Sequence, residues 1–186
     1  MSLSVCVFCG SSLGDDPRFR AAAQDTGRQI ARRGWTLVYG GAHVGLMGVV
    51  ADAALGAGGR VIGVIPRFLH EREVGHDGIT SLEIVATLTE RKLRMGELSD
   101  AFLSLPGGIG TLDELFEAWS WSQVGLQHKP NGLLNLGGYY DPLLAFLDRA
   151  TAAGFMQPRH RQMLAASGDV VELLDGFAAA ATGAAR

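Results

Sequence analysis

The segment 106–114, Pro-Gly-Gly-Ile-Gly-Thr-Leu-Asp-Glu, carries the residue types of this chain that are best suited to chemistry. Glycines leave backbone N–H groups free to approach a ligand, and a helix that starts just after them presents the positive end of its dipole. One interpretation is a phosphate bound by Gly108, Gly110 and Thr111, with the Glu114 carboxylate nearby. The other is structural, since Thr111 and Glu114 have the spacing of a capping box, in which threonine caps the helix and glutamate reaches back.

Glycine is concentrated in two further segments of the same kind. The chain has 26 glycines among 186 residues, about twice the usual share. Nine of them lie in 9–14, 40–48 and 106–111, each of which follows an apolar run. The candidate phosphate contacts in the first two segments are Gly10, Ser11, Gly40, Gly41 and Gly45. One such segment would be an ordinary turn, but three at one edge of a sheet favour a nucleotide or sugar-phosphate site.

The elements that position these loops alternate along the chain. The predicted strands are 3–8, 36–39, 60–65, 101–105 and 132–136, and the predicted helices are 16–33, 46–55, 89–99, 111–124 and 142–153. Short apolar strands between amphipathic helices predict an α/β fold, a Rossmann-like doubly wound parallel sheet with helices on both faces. We expect a single domain over 1–186, because nothing in the chain is typical of a linker.

Three regions depart from this alternation or carry large aromatic side chains. The connection 66–83 is rich in charged residues and histidine without periodicity, so we expect it to border the site. The alanine-rich 178–186 is expected to fray. Trp119 and Trp121 are assigned to the core or to a subunit interface.

The usual nucleotide motifs are absent, which narrows the ligand. The first predicted strand is not followed by G-x-G-x-x-G, so a dinucleotide cofactor is disfavoured. Gly40 and Gly45 have the glycine spacing of a P-loop, but Leu46 and Met47 replace the Lys-Ser/Thr pair that would hold phosphates and magnesium. We therefore expect a mononucleotide or sugar phosphate, with no cofactor and no metal.

Charge and cysteine content exclude other classes of protein. Sixteen basic and nineteen acidic residues give a net charge of -3, which disfavours nucleic acid as a partner. No apolar stretch is long enough for a membrane span and no signal peptide is recognisable, so we expect a cytoplasmic protein. Cys6 and Cys9 form a C-x-x-C within a predicted strand, where residues three apart face opposite sides and cannot easily share a metal or disulfide.

Several of these segments together resemble one known family. They are Cys-Gly-Ser-Ser at 9–12, Tyr-Gly-Gly at 39–41, Gly-Leu-Met-Gly at 45–48, Glu-Arg-Lys at 90–92 with Met95, and the segment 106–114. Their combination is similar to the LONELY GUY family of cytokinin-activating enzymes. The resemblance implies a homodimeric phosphoribohydrolase that cleaves N6-modified adenosine 5′-monophosphates into free base and ribose 5-phosphate.

The resemblance also implies roles for individual residues. The family's catalytic arginine and glutamate correspond to Arg91 and Glu114, whereas Met47, Lys92 and Met95, with the glycine loops including Gly107, correspond to nucleotide contacts. From the residues alone, Arg91 and Lys92 would be interpreted as part of a solvated helix face. The chain departs from many relatives at Ala42, where a third glycine is common, and at 88–89, where Leu-Thr replaces Met-His.

Other functions remain as alternatives. Proteins with this signature have been labelled lysine decarboxylases, but pyridoxal phosphate chemistry needs a Schiff-base lysine, and the chain has only Lys92 and Lys129. A non-catalytic carrier of a nucleotide or of the molybdenum cofactor is the stronger rival, although it would need neither Arg91 nor Glu114. A DNA-handling protein is disfavoured because the chain lacks a basic stripe.

Overall fold

The computed structural model describes residues 2–183, without the side chain of Glu73. Within that range the chain forms a seven-stranded parallel sheet with helices on both faces, which confirms the predicted doubly wound α/β architecture. The strands are β1 (Ser4–Phe8), β2 (Thr36–Tyr39), β3 (Arg60–Pro66), β4 (Ser81–Val85), β5 (Ala101–Ser104), β6 (Asn131–Leu134) and β7 (Leu164–Ser167).

Helices connect successive strands. They are α1 (Pro17–Arg32), α2 (Gly45–Gly56), α3 (Arg67–Leu69), α4 (Leu88–Glu97), α5 (Ile109–Gln123), α6 (Asp141–Ala152), α7 (Pro158–Arg161) and α8 (Val170–Gly183). A π-helical turn, His70–Val74, follows α3, and a 3-10 turn, Leu136–Gly138, precedes α6. In the described part of the chain, no helix combines the length and the hydrophobicity that crossing a bilayer requires.

The strand order is β4-β3-β2-β1-β5-β6-β7. The chain therefore builds outward from β1 to β4, then crosses back and continues from the other side of β1 with β5. Phe8 of β1 pairs with Ser104 of β5, so the loops that follow these two strands leave the sheet side by side. Doubly wound sheets bind ligands in the crevice at such a reversal, and this position is where the first and third glycine-rich loops lie.

The two faces of the sheet are covered by different helices. One face carries α1, α2 and α8, whose apolar side chains pack with alternate residues of β1 and β2. The other face carries α4 and α5, through Met95 and Ala118. Cys9 belongs to the first apolar cluster and Cys6 to the second, and both are buried free thiols, as expected from their spacing on the strand.

The start of α1 follows its sequence signals. Asp16 has extended backbone angles, its carboxylate accepts a hydrogen bond from the Arg18 N–H, and Pro17 is the first helical residue. The helix ends at Arg32, one residue before the predicted boundary, and Gly34 follows with φ +67°. The predicted helix start at 16–17 is confirmed.

Sequence patterns missed two edge strands. Glu83 interrupts the apolar pattern of β4, and β7, Leu-Ala-Ala-Ser, contains no β-branched residue. Both are edge strands that pair with one neighbour and are partly exposed. Residues 81–83, predicted to belong to an irregular connection, instead form the start of β4.

The frayed tail predicted from 178 onward is wrong for 178–183, which continue α8. Alanine has the highest helix propensity, and Ala178 and Ala181 pack against the core. Residues 184–186 lie outside the described part of the chain.

Candidate active site

A cavity of about 560 Å³ lies at the carboxyl ends of β1, β2 and β5, where the three glycine-rich loops meet. The predicted site residues that line it are Ser11, Gly40, Met47, Arg91, Gly108, Gly110, Thr111 and Glu114. The other lining residues are Cys9, Ala42, Val44, Leu69, Val74 and Ile109. Tertiary folding thus brings the two predicted catalytic residues, 23 positions apart in the sequence, into one concave site.

Glu114 projects into this cavity from the second turn of α5. Its side chain is only 11% exposed. Burial raises the pKa of Glu114 to about 7, against the opposing influence of the Arg91 guanidinium. A carboxyl group that titrates near neutrality can both hold and release a proton under physiological conditions, which suits a general acid or base.

Arg91 reaches Glu114 from α4, on the other side of the cavity. Its Nη2 lies 3.5 Å from Glu114 Oε1, and its Nε donates a hydrogen bond to the Val64 carbonyl at 3.2 Å. Gly40 makes room for the guanidinium, since a Cβ atom at this position would overlap Arg91 Nη2. Arg91 is only 13% exposed. The interpretation of Arg91 as part of a solvated helix face is therefore wrong.

The amino end of α5 forms one wall of the cavity. Gly108 precedes the first helical residue, Ile109, and no side chain caps the helix. The capping-box interpretation of Thr111 and Glu114 is therefore wrong, because the helix starts three residues earlier than that motif requires. Thr111 lies inside the first turn and is buried. The first N–H groups of a helix have no intrahelical acceptor, and a helix start of this kind is able to bind an anion.

Two of the predicted substrate contacts line a neighbouring cavity instead. Gly10 and Gly107 border a cavity of about 460 Å³, which shares Ser11 and Gly108 with the first. The two loops approach closely at this point, because the Gly10 N–H donates to the Pro106 carbonyl at 3.2 Å. A Cβ atom at Gly107 would overlap the Thr111 hydroxyl, so this position requires glycine.

Gly41 and Gly45 position the cavity wall but do not line it. Both have positive φ angles, +75° and +58°. A Cβ atom at Gly41 would press on Ile65 and Leu82, and one at Gly45 would overlap the backbone of Ser11. Glycine at these positions lets the second loop turn and pack against its neighbours.

Lys92 and Met95 also lie outside the wall of the main cavity. Lys92 Nζ pairs with Asp113 Oδ2 at 2.9 Å and with Glu117 Oε2 at 2.5 Å, and thereby links α4 to α5. Although burial opposes it, hydrogen bonding to Glu117 and Asp113 raises the pKa of Lys92. Met95 is 1% exposed and packs in the core beneath α4.

The cavity has an apolar wall that sequence patterns did not reveal. Val44, Leu69, Val74 and Ile109 contribute to it. Leu69 and Val74 come from the connection 66–83, which borders the site as expected. The sequence offers one signal for Ile109, namely that it is an apolar residue inside a glycine-rich loop. In the structure Ile109 is 88% exposed.

The remaining candidates lie away from the cavity. Trp119 is buried and its indole N–H donates to the His160 carbonyl, as expected of a core residue, whereas Trp121 is partly exposed. Within residues 2–183, no group of three or more histidine, cysteine, aspartate or glutamate side chains has the arrangement of a metal site. Lys129 donates to the Gly96 carbonyl at 2.7 Å and lines a separate groove.

Comparison with solved structures supports the fold. A molybdenum cofactor binding protein from the phototrophic bacterium Rippkaea orientalis superimposes with a TM-score of 0.71 at 22% identity, covering 95% of this chain and 97% of that one. The molybdenum cofactor carrier protein of Chlamydomonas reinhardtii gives 0.69 at 22% identity, covering 98% and 97%. Identities this low establish a shared fold only.

Comparison with known sequences is more specific. A family model described as "Possible lysine decarboxylase" matches residues 47–177. The chain is 48% identical over 170 residues to the probable cytokinin riboside 5′-monophosphate phosphoribohydrolase LOGL9 of Oryza sativa subsp. japonica, covering 91% of this chain and 75% of that protein. It is 44% identical to the cytokinin riboside 5′-monophosphate phosphoribohydrolase LOG1 of Arabidopsis thaliana, covering 91% and 80%. These matches confirm the resemblance inferred from the motifs, and the chain belongs to the LONELY GUY (LOG) family of phosphoribohydrolases.

Proposed function

We propose that this protein hydrolyses the N-glycosidic bond of adenosine monophosphate and of its N6-prenylated relatives, the cytokinin riboside 5′-monophosphates, releasing the free base and ribose 5-phosphate. The observation that carries this proposal is the pairing of Arg91 and Glu114 in a cavity walled by an uncapped helix start. Relatives that are 44% to 48% identical bear the name of this activity.

Glu114 supplies the chemistry at the ribose. As the bond from C1′ to the base breaks, its electron pair leaves with the base and positive charge develops on the ribose. A carboxylate beside C1′ stabilises that charge and can take a proton from the water that adds to C1′. That proton is then passed to the departing base, which leaves as the neutral free base while the hydroxyl group stays on C1′. The pKa of Glu114, about 7, leaves a large share of the group ionised at neutral pH.

Arg91 and the amino end of α5 bind the base and the 5′-phosphate, respectively. The uncapped N–H groups at 108–110, with Thr111, hold the 5′-phosphate at the positive end of the helix dipole. Arg91 lies next to Glu114 rather than at the helix start, so its N–H groups are assigned to the departing base, where they stabilise the negative charge that the base acquires. The apolar wall of Val44, Leu69, Val74 and Ile109 suits an N6 substituent.

The carrier alternative has weaker support. The molybdenum cofactor proteins share the fold at 22% identity, whereas the phosphoribohydrolases share nearly half of the aligned residues. A carrier has no use for a buried carboxylate whose pKa burial raises to about 7. The decarboxylase description is not favoured either, since Lys92 is held by two carboxylates and Lys129 lies in another groove.

The assembly and the compartment are further parts of this proposal. We expect a homodimer that works in the cytoplasm. The free thiols of Cys6 and Cys9 are compatible with a reducing compartment. Size-exclusion chromatography with light scattering measures the assembly, and a monomeric mass would contradict it.

The test is hydrolysis of defined nucleotides. The protein is incubated with N6-isopentenyladenosine 5′-monophosphate and with adenosine monophosphate, and the products are separated by chromatography. We expect free base and ribose 5-phosphate in equal amounts. The Glu114→Gln variant should form neither product, whereas Asp113→Asn, a change at the exposed neighbouring position, should still form both. Binding of both nucleotides without release of base would overturn the proposal and support a carrier.

A further inference from the structure

Consecutive backbone carbonyls in the loop between β5 and α5 accept hydrogen bonds. The Leu105 carbonyl accepts a hydrogen bond from Tyr140 Oη at 2.7 Å, the Pro106 carbonyl from the Gly10 N–H at 3.2 Å, and the Gly107 carbonyl from Tyr139 Oη at 2.9 Å. Three consecutive carbonyl groups are thus held by donors from outside the loop. Two of these donors belong to adjacent tyrosines.

The bond from Tyr139 determines the direction of one particular N–H group. A peptide unit is planar and trans, so its C=O and its N–H point in opposite directions. The Gly107 carbonyl shares its peptide unit with the Gly108 N–H. When Tyr139 Oη holds that carbonyl, the Gly108 N–H is turned away from Tyr139.

Without such a bond, nothing in the local sequence would fix this peptide unit. Both of its flanking residues are glycines, which lack the Cβ contacts that restrict backbone rotation in other residues. Gly108 lines both cavities and precedes the first residue of α5. The orientation of its N–H group therefore decides whether the helix start presents one more donor to an anion.

Tyr139 is itself firmly placed. Its ring meets Tyr140 edge-on, with centroids 4.8 Å apart, and Phe19 in the same manner at 5.4 Å. The Tyr140 N–H donates to Asn135 Oδ1 at 2.7 Å, and this anchors the tyrosine pair to the end of β6. The hydroxyl of Tyr139 is therefore presented to the loop by a rigid aromatic cluster.

We propose that Tyr139 is a positioning residue for the phosphate of the substrate: its hydroxyl holds the Gly107–Gly108 peptide unit so that the Gly108 N–H faces the ligand. This inference rests on the proposed function, because it names the residue that sets the phosphate-binding geometry of that same site. Tyr139 touches neither the scissile bond nor the base in this scheme.

Tyr140 provides a matched control. It also donates a hydroxyl hydrogen bond to a carbonyl of this loop, but the Leu105 carbonyl shares its peptide unit with Pro106, whose nitrogen carries no hydrogen. Tyr140 is 3% exposed and Tyr139 is 42% exposed. Loss of the Tyr140 hydroxyl thus affects packing and stability without turning any N–H group.

The experiment compares Tyr139→Phe with Tyr140→Phe, both of which keep the aromatic ring. Calorimetric titration with ribose 5-phosphate measures phosphate binding without requiring turnover. We expect the Kd of Tyr139→Phe to rise about tenfold, as for the loss of one hydrogen bond to a charged group, with little change in Tm. Tyr140→Phe should lower Tm and leave that Kd within about twofold of the unsubstituted protein.

Kinetics provide a second readout. In Tyr139→Phe, KM for the nucleotide 5′-monophosphate should rise about tenfold while kcat changes little, because the chemical groups stay in place. Equal ribose 5-phosphate binding by Tyr139→Phe and the unsubstituted protein would overturn the proposal, as would equal loss in both variants. If the unsubstituted protein cleaves no nucleotide, the proposed function fails, and the titration still decides the role of Tyr139.

Discussion

Nη2 of Arg91 lies 3.5 Å from Oε1 of Glu114, and the two side chains are 13% and 11% exposed. Burial affects the pKa of Glu114 more strongly than the Arg91 guanidinium does, so this pKa is raised to about 7 instead of being lowered. A carboxyl group that keeps its proton so readily, beside a permanent cation, is unusual for a structural ion pair.

The rate of hydrolysis should depend on pH through Glu114. If the ionised carboxylate stabilises the developing positive charge, kcat/KM should increase as pH rises from about 5.5 and level off above pH about 8, following the pKa near 7 of the ligand-free protein. Initial rates in buffers of constant ionic strength measure this. A flat profile across that range would show that Glu114 does not titrate in the rate-limiting step.

Gly40→Ala should impair the reaction without unfolding the protein. The added methyl group would overlap Arg91 Nη2 and push the guanidinium away from Glu114. We expect kcat to fall by roughly 100-fold, the size of effect seen when a catalytic group is misplaced by about 1 Å. Gly176→Ala in α8 is the matched control, because nothing lies within 4 Å of its Cβ position; a similar loss of activity in both variants would contradict this role of Gly40.

Glu114→Gln should make the protein more stable at alkaline pH. The folded-state pKa, about 7, lies above the value of 4.5 for an unperturbed glutamate. The carboxyl group therefore contributes stability that is fully present below pH 4.5 and lost as pH rises through about 7. Relative to the unsubstituted protein, the variant should gain on the order of 2 kcal/mol at pH about 8.

Chemical denaturation at two pH values tests this gain. At pH about 3.5 the two proteins should have nearly equal free energies of unfolding, because Glu114 is then almost entirely neutral in both the folded and the unfolded state. Asp175→Asn in α8, where the side chain is 66% exposed and away from the cavity, serves as the parallel control. The same gain at both pH values would contradict the assignment to Glu114 ionisation.

Lys92→Met should destabilise the protein. It removes the cation that pairs with Asp113 and Glu117 and leaves the partly buried Glu117 carboxylate without that partner. We expect a loss of about 2 kcal/mol, which is less than for a fully buried pair, since Lys92 is 18% exposed. Thermal unfolding measures it; an unchanged Tm with a large increase in KM would mean that Lys92 serves the nucleotide rather than the contact between α4 and α5.

The sequence and the structure agree best where local signals are strong. The central strands and the helix start at Asp16 were predictable because apolar runs and caps act over a few residues. The edge strands β4 and β7 were missed because they are short and partly exposed. The capping-box interpretation of Thr111 failed because the helix starts at Ile109.

The sequence by itself determined the architecture and the chemical inventory: three glycine-rich loops at strand ends, the carboxylates of Asp113 and Glu114 after the third loop, and Arg91 on the preceding helix. Only the tertiary structure decided which of these residues meet. It brought Arg91 to Glu114 over Gly40, placed Lys92 between two carboxylates, and set the Tyr139 hydroxyl on the Gly107 carbonyl. These contacts depend on how helices and loops from distant parts of the chain pack on the sheet, whereas spacing along the chain reports only on neighbours within one element.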